Sequence, residues 1–340
     1  MKFINQRIVT VIAACMVSLP AVSAPFYLGQ AANFNAYVLE NMEGNASDVE
    51  GRLAVGGNLT LDNYGLGLQL APDNPHPVVT VGGDVSMRNA RIYHGDAVAA
   101  GDIDIDASVG LYGTDAYHNT HQFYQDSSFD FASTNDELMY KSSLWGSYDA
   151  TAPVIVEGDG SSIWNLTLAG DQEINIFSID AATLSASGKG IFIDVPQTSY
   201  NIINVYGESV ELFNTGFHLA DGSKFPDNRP EDGAAGRHDG SYANNLLFNF
   251  VNATDLSLHG IGFKGSILAP LADTSFFNGH IDGNLIVKNL VSPDGEQTGQ
   301  INNYRFGNIT DISEPATLSV ALGLLAVLGL RRRSLKRIPG

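Results

Sequence analysis

Cysteine is almost absent: the 340 residues hold one, Cys15, inside an apolar run near the start. No disulfide can staple the rest of the chain, so its stability must come from burial and backbone pairing. Positive charge is scarce too, with 18 Lys plus Arg against 37 Asp plus Glu. Phosphates need a positive surface, so nucleic acid is excluded as a natural partner. No G-x-S-x-G elbow, no G-x-x-x-x-G-K-[ST] loop and no H-E-x-x-H pair occurs, which removes three common catalytic or nucleotide-binding signatures.

What is present begins at the ends. Lys2 and Arg7 precede an uncharged run from Ile8 to Leu19, followed by Pro20, Ala21, Val22, Ser23 and Ala24. A basic start, a short apolar middle and small residues form a secretory signal peptide over 1–23. Ile12-Ala13-Ala14-Cys15 has the look of a lipoprotein acylation box, but Met16, Val17 and Leu19 carry the apolar run past it. At the other end Ser313-Glu314-Pro315 leads into Ala316 to Leu330, which carries no charge, and then Arg331, Arg332 and Arg333. As a helix that stretch reaches about 22 Å, short of the ~30 Å hydrocarbon core, so it spans only with help from its flanks. The basic cluster stays cytoplasmic and leaves the body outside. A plain tail anchor is the simpler alternative.

The tail (311–340) resembles the PEP-CTERM sorting signal in order, spacing and position, with Ser313 where the usual triplet has Pro. The resemblance implies recognition by a membrane exosortase and transient anchoring by the C-terminal helix. It implies export across the inner membrane of a Gram-negative bacterium, with signal peptidase and exosortase as processing partners.

Residues 24–312 hold 11 basic and 36 acidic residues, a net charge near −25. Such a surface keeps an exported protein soluble and attracts cations. The 36 Gly, with many Asn and Asp, mean many turns. A phrase repeats: Gly51-Arg52-Leu53-Ala54-Val55-Gly56-Gly57-Asn58-Leu59, then Val78-Val79-Thr80-Val81-Gly82-Gly83-Asp84-Val85, then Ala97-Val98-Ala99-Ala100-Gly101-Asp102-Ile103. The glycines recur after 26 and then 18 residues. Such periods suit the coils of a β-solenoid, with Gly taking positive φ at sharp corners and Asn or Asp capping nearby backbone.

Ala31 to Met42 reads as a short amphipathic helix on the spacing of Ala31, Phe34 and Val38. Residues 114–150 read as a helical insertion, with Thr134 and Glu137 spaced as a capping box, Leu138, Met139, Leu144 and Trp145 as its apolar surface, and Gly146 as its stop. From Val154 short strands follow in series: Val154–Val156, Ile163–Leu168, Ile174–Ile179, Ile191–Val195, Ile202–Val205, Leu246–Val251, Leu256–His259, Gly265–Leu268 and Ile281–Val287. Asn204 and Asn249, inside such runs, read as structural residues that bond backbone or stack at corners. The fold class is mainly β: a β-solenoid with an N-terminal helix, an inserted helix and one C-terminal hydrophobic helix.

Phe34-Asn35-Ala36-Tyr37, the stretch Ser47 to Gly57, Gly265-Ser266-Ile267-Leu268-Ala269-Pro270 and Asn284-Leu285-Ile286-Val287-Lys288 resemble the choice-of-anchor A domain, over 24–310. That family comprises bacterial surface proteins with varied anchors, regarded as adhesive. The resemblance implies a β-helix-like fold and supplies no catalytic residue.

Asp102, Asp104 and Asp106 alternate with Ile103 and Ile105, so in a strand three carboxylates share a face. Clustered oxygens suit Ca²⁺; the alternative is a solvated acidic face. Asp221, Asp227, Glu231, Asp232 and Asp239 form an acidic loop without the EF-hand order, and His118 with His121 has the spacing of a zinc pair without further ligands.

The reading that results is a non-enzymatic exported protein of the cell surface or extracellular matrix, adhesive and associated with exopolysaccharide. Its anionic body limits direct partners to neutral glycans, or to acidic ones bridged by Ca²⁺. A β-helix polysaccharide hydrolase or lyase is the alternative, weakened by the absence of any basic residue in 92–140. Ice binding comes third, because Thr60, Thr80 and Thr167 form no repeated Thr-x-Thr rank.

Overall fold

The structure is a computed structural model, and it describes residues 26–308 except 114–120, 159–164, 187, 224 and 226–239. The signal peptide, the sorting tail, His118 and Asp227, Glu231, Asp232 and Asp239 of the acidic loop lie outside the described residues.

The repeated phrase folds into coils of three short strands each. One coil is Leu53–Val55, Leu59–Asp62 and Gly65–Leu66; the next is Val79–Val81, Val85–Arg88 and Arg91–Tyr93; the third is Ala97–Ala99, Ile103–Ile105 and Gly110–Tyr112. Coils stack in parallel and in register, Leu53 on Val79 on Ala97 and Leu59 on Val85 on Ile103. Strand alternation sends Leu53, Val55, Leu59, Leu61 and Leu66 inward, each at most 1% exposed, into one continuous core. The solenoid thus has three faces, and each coil hides its apolar side only against its neighbours.

The coils are not stacked in chain order. Ala36–Val38 pairs with Leu53–Val55 on one side and with Leu285–Val291 on the other. From this central position the chain builds outward to Phe123–Gln125, which pairs with Ala97–Ala99. The helix Phe131–Gly146 then runs back along the stack. Beyond it, Ile174–Asp180, Tyr200–Tyr206, Leu246–Phe250 and Ser266–Phe277 build inward until Leu285–Val291 meets Ala36–Val38. The strands Val154–Glu157, Asn165–Ala169, Lys189–Asp194 and Thr215–Leu219 form a small sheet of their own, whose first pair is antiparallel.

Several expectations need correction. Residues 31–42 are not a helix. A short 3₁₀ turn, Gly29–Asn33, leads into the strands Ala36–Val38 and Met42–Asn45. Ala36, Tyr37 and Val38 are all buried, because this strand faces the core on one side and the long helix on the other. Two-sided burial gives a continuous apolar run that carries no strand alternation. The long helix starts earlier than the Thr134 capping box suggests. Asp130 is its N-cap, accepting from Ser133 N–H at 3.0 Å, while the Thr134 hydroxyl donates to Asp130 O. The run 281–287 is broken at the Gly283-Asn284 corner into His280–Asp282 and Leu285–Val291.

The paired glycines serve close approach, not positive φ. A Cβ on Gly56 would sit 2.2 Å from Leu39 O, and one on Gly82 would sit 2.3 Å from Gly56 O. Successive corners lie backbone on backbone, and only glycine leaves the room. Positive φ falls at the next corner along each coil and is taken by Asn63, Asn89, Asn214 and Asn278 at 46–52°, with Ala46 at 50°. Asparagine tolerates that region better than other side chains do.

Asn35 is the clamp where the two halves meet. Buried at 1% exposure, it donates through Nδ2 to Gly283 O (3.1 Å) and Asn302 O (2.8 Å), and its Oδ1 accepts from Gly51 N–H (3.1 Å). Asn35→Ala would remove the Asn35 partner of Gly283 O and Gly51 N–H in a dry site, and would leave Asn302 O with the bond from Tyr304 N–H alone. We expect a loss of about 2–3 kcal/mol, read as a lower urea midpoint at unchanged slope.

Candidate functional site

The first face is closed. Tyr37, Ala54, Ile202, Leu247, Leu268 and Ile286 point out of the solenoid and pack beneath Leu138 and Trp145 of the helix, joined by Phe26, Leu28 and Phe34. The helix end is held by asparagines. Asn204 Nδ2 donates to Trp145 O at 2.8 Å, Asn249 Nδ2 donates to Ser142 O at 2.9 Å, and Tyr206 OH donates to Gly146 O at 2.6 Å. The Trp145 and Gly146 carbonyls are among those that a helix terminus leaves open. Asn204 and Asn249 therefore bond backbone as expected, but they do so on a flat face and toward the helix.

The second face is open and polar. Along its corner an Asn/Asp ladder joins coil to coil. Asn289 Oδ1 accepts from Asn41 N–H (2.8 Å), Asn41 Oδ1 from Asn58 N–H (2.9 Å), Asn58 Oδ1 from Asp84 N–H (2.9 Å) and Asp84 Oδ1 from Asp102 N–H (2.8 Å). These side chains cap the neighbouring coil rather than their own turn. Outward from this corner, Glu43, Thr60, Ser86 and Asp104 stand in one register. Phe213, His259 and Phe277 form a column of parallel rings with centroids 5.0 and 5.1 Å apart.

Asp102, Asp104 and Asp106 are exposed on this face, while Ile103 and Ile105 pack on the core. Their strand, Ile103–Ile105, is the last of the second face among the described residues. Arg88 on the adjacent strand spans two of the three, 2.9 Å from Asp104 Oδ2 and 3.6 Å from Asp106 Oδ2. Hydrogen bonds from Ser108, and then the charge of Arg88, hold the Asp106 carboxyl below its ordinary range. Among the described residues, no group of three or more His, Cys, Asp or Glu is placed to hold a metal ion. His121 lies 3.4 Å from Asp96.

The third face carries what the sequence reading missed, together with the small sheet that abuts it where Thr215–Leu219 lies beside Gly262–Lys264. Glycines sit inside their strands, and rings fold back over them. A Cβ on Gly110 would meet Tyr112 Cζ at 2.3 Å, one on Gly190 would meet Phe192 Cε2 at 2.9 Å, and one on Gly216 would meet His218 Nε2 at 2.9 Å. Across strands, Gly262 makes the same room for His280, at 2.6 Å. The rings therefore lie along the sheet instead of standing off it. Phe192 and His218 stack with centroids 4.9 Å apart and planes 19° apart. Two hollows open on this shelf. One, of about 230 Å³, is lined by Gly216, His218, Phe225, Gly262, Lys264 and His280. The other, of about 370 Å³, is lined by Asn63, Gly65, Leu68, Asn89, Arg91 and Tyr93. Glycine within a strand marks close approach by a ligand or another backbone. The signal was available as Gly-x-ring, in Gly110-Leu111-Tyr112, Gly190-Ile191-Phe192 and Gly216-Phe217-His218.

Residues 27–303 match the family described as "Putative Ice-binding-like adhesive domain". The chain belongs to this family. No curated protein matches it. Solved structures similar to it include an ice-binding protein from an Antarctic biological consortium, at 13% identity over 87% of this chain and 96% of that one, with a TM-score of 0.37. An ice-binding protein from the Antarctic ascomycete Antarctomyces psychrotrophicus matches at 11% identity over 84% and 99%, with a TM-score of 0.33. A glycosylated ice-binding protein from an Arctic yeast matches at 10% over 84% and 96%, with a TM-score of 0.34.

Beneath the shelf of this adhesive domain lies a buried cation. Lys189 is 3% exposed, donates to Thr215 Oγ1 at 3.2 Å and to Ala186 O, and is pushed down to about 8 by burial. The unfolded chain holds that proton up to about 10.4. Between pH 8 and 10 the unfolded state thus binds more protons, so this group makes stability rise with pH. Tyr37 and Tyr64, pushed up by burial, reverse the trend above pH 10. We expect the urea midpoint to rise from pH 7.5 to 9.5 in the parent and to rise less in Lys189→Met.

Proposed function

We propose that this chain is an exported, non-enzymatic adhesive protein of a bacterial surface or extracellular matrix, and that it holds neutral polysaccharide on its third face. The ring shelf carries this reading. Rings lying along a sheet offer the flat apolar area that a sugar ring covers, and Asn63, Asn89 and Arg91 stand beside one hollow as hydrogen-bonding partners. A body of net charge near −25 repels acidic polymers, which leaves neutral ones as direct ligands. Membership of an adhesive family supports the same reading.

The polar ranks of the second face weigh against ice as the ligand. Glu43, Asp62, Asp104, Glu211 and Asp255 interrupt its Ser and Thr positions, and charged groups hold water in their own hydration shells. Thermal hysteresis in the purified chain would overturn that judgement.

Delivery belongs to the proposal as well. Residues 1–23 direct export, and Glu314-Pro315, the apolar stretch and Arg331, Arg332 and Arg333 address the chain to an exosortase across the inner membrane of a Gram-negative cell. Replacing Glu314 and Pro315 with Ala should abolish tail removal in an exosortase-bearing host, read as an increased mass of the secreted form.

Binding is tested with a panel of neutral and acidic oligosaccharides, each with and without Ca²⁺. We expect a neutral ligand whose affinity falls about tenfold in Phe192→Ala or His218→Ala, the loss of about 1.4 kcal/mol of ring contact. Equal affinity in parent and variants would remove the shelf from the account.

A further inference from the structure

Lys264 is the second buried lysine, and its surroundings differ from those of Lys189. It is 4% exposed, beside Asp282 at 0% and Asn302 at 1%. The three sit on consecutive strands of the third face, Gly262–Lys264, His280–Asp282 and Gln300–Asn302, with Lys264 opposite Asp282 and Asp282 opposite Asn302. Asp282 joins the other two through its separate oxygens. Lys264 Nζ donates to Oδ2 at 2.5 Å, and Asn302 Nδ2 donates to Oδ1 at 2.5 Å. Gly240 covers the group, since a Cβ there would lie 2.8 Å from the Asp282 Cβ and 2.4 Å from the Tyr304 ring. The side-chain oxygen of Asn302, Oδ1, is buried and accepts no hydrogen bond among the described residues.

A buried amine, a carboxyl group touching both partners and a carboxamide with a free carbonyl are the parts of an amide exchange. We propose that Lys264 and Asn302 become joined by an intramolecular amide bond, with Asp282 as the catalytic proton carrier. The first step passes one Nζ proton to Asp282 Oδ2 across the contact between them, leaving a neutral amine beside a protonated carboxyl group. The neutral Nζ attacks the Asn302 side-chain carbon, forming the new C–N bond. Asp282 delivers its proton to the departing Nδ2 and takes one from Nζ, so the old C–N bond breaks and ammonia leaves. No oxidant, reductant or further reactant is needed. The gain falls where the fold needs it, because Gln300–Asn302 is the closing strand and pairs through Ile301 with Val49 of the first coil. A chain with no cysteine beyond Cys15 has no disulfide to do this work.

The test is peptide mapping by mass spectrometry of the purified full chain. We expect one branched peptide pair bearing Lys264 and Asn302, lighter than its two parts by one ammonia. Lys264→Arg and Asp282→Asn should each return two separate peptides. Separate peptides from the parent protein would overturn the proposal without reference to any variant. A pair lighter by one water and joined at Asp282 would overturn the choice of acceptor, and a persistent bond in Asp282→Asn would overturn the role of that carboxyl group. None of these outcomes depends on whether the protein binds glycans.

Discussion

Everything in this fold depends on one junction, where the first coil of the chain meets the last. Ala36–Val38 lies on Leu285–Val287, Met42 on Leu290 and Val49 on Ile301, so all three faces are closed at the same level. The groups that meet there are about 250 residues apart in sequence, as the separation of 248 between Asn35 and Gly283 records. Loop closure over such a span costs only logarithmically more than over a short one, so the junction is thermodynamically affordable. It is kinetically demanding, because contacts of high separation form late and both partner strands present open edges until they do. The polar clamp of Asn35 suits this situation. A buried asparagine is worth little in a wrong register and much in the right one, so it selects the pairing that the apolar strands alone leave degenerate.

The stack on either side of the junction is held by repeated backbone proximity. Gly56, Gly57, Gly82 and Gly83 let corners approach to distances no Cβ allows, and the ladder from Asn289 to Asp102 hydrogen-bonds each coil to the next. Stability in such an array is a sum of neighbour terms, so its ends are its weak points. Asp104 lies on the strand that is terminal on the second face among the described residues, and Asp102 and Asp106 flank it. Charge on an edge strand prevents another sheet from adding to it. That gives the acidic triplet a structural meaning in this fold, with Arg88 limiting the repulsion between its members.

The coil motif was legible in the sequence because every corner meets the same steric demand. Gly-Gly-Asn/Asp recurs where backbone stacks on backbone, and its spacing of 26 and 18 residues reappears as the reach of the ladder bonds. The strand series after Val154 was legible for the same reason: apolar runs between turn residues. Coil order was not. Periodicity says that a segment forms a coil, but not which coil it lies against, so a chain that starts in the middle of its own stack reads the same as one that starts at the end. Residues 31–42 misled because a strand buried on both sides has no alternation, and Ala31, Phe34 and Val38 then fell at helical spacing by coincidence. The shelf escaped because Gly-x-ring is informative only once strand and face are known.

The three faces divide the chemistry by what covers them. The first is sealed by the helix, and its two-sided burial makes it the most apolar surface of the solenoid. The second is open and carries ladder, acids and hydroxyls, a surface that water already satisfies. The third combines glycine with rings, and that combination has a physical cost: glycine weakens a strand, and a ring laid over it recovers only part of the loss through contact. Packing alone gives no reason to meet that cost at Gly110, Gly190, Gly216 and Gly262, since the inward residues Leu111, Ile191, Phe217 and Phe263 already fill the core. A surface that gives up strand propensity to hold rings flat is arranged for something outside the molecule, and in an anionic adhesive domain the partner best matched to flat rings is an uncharged one.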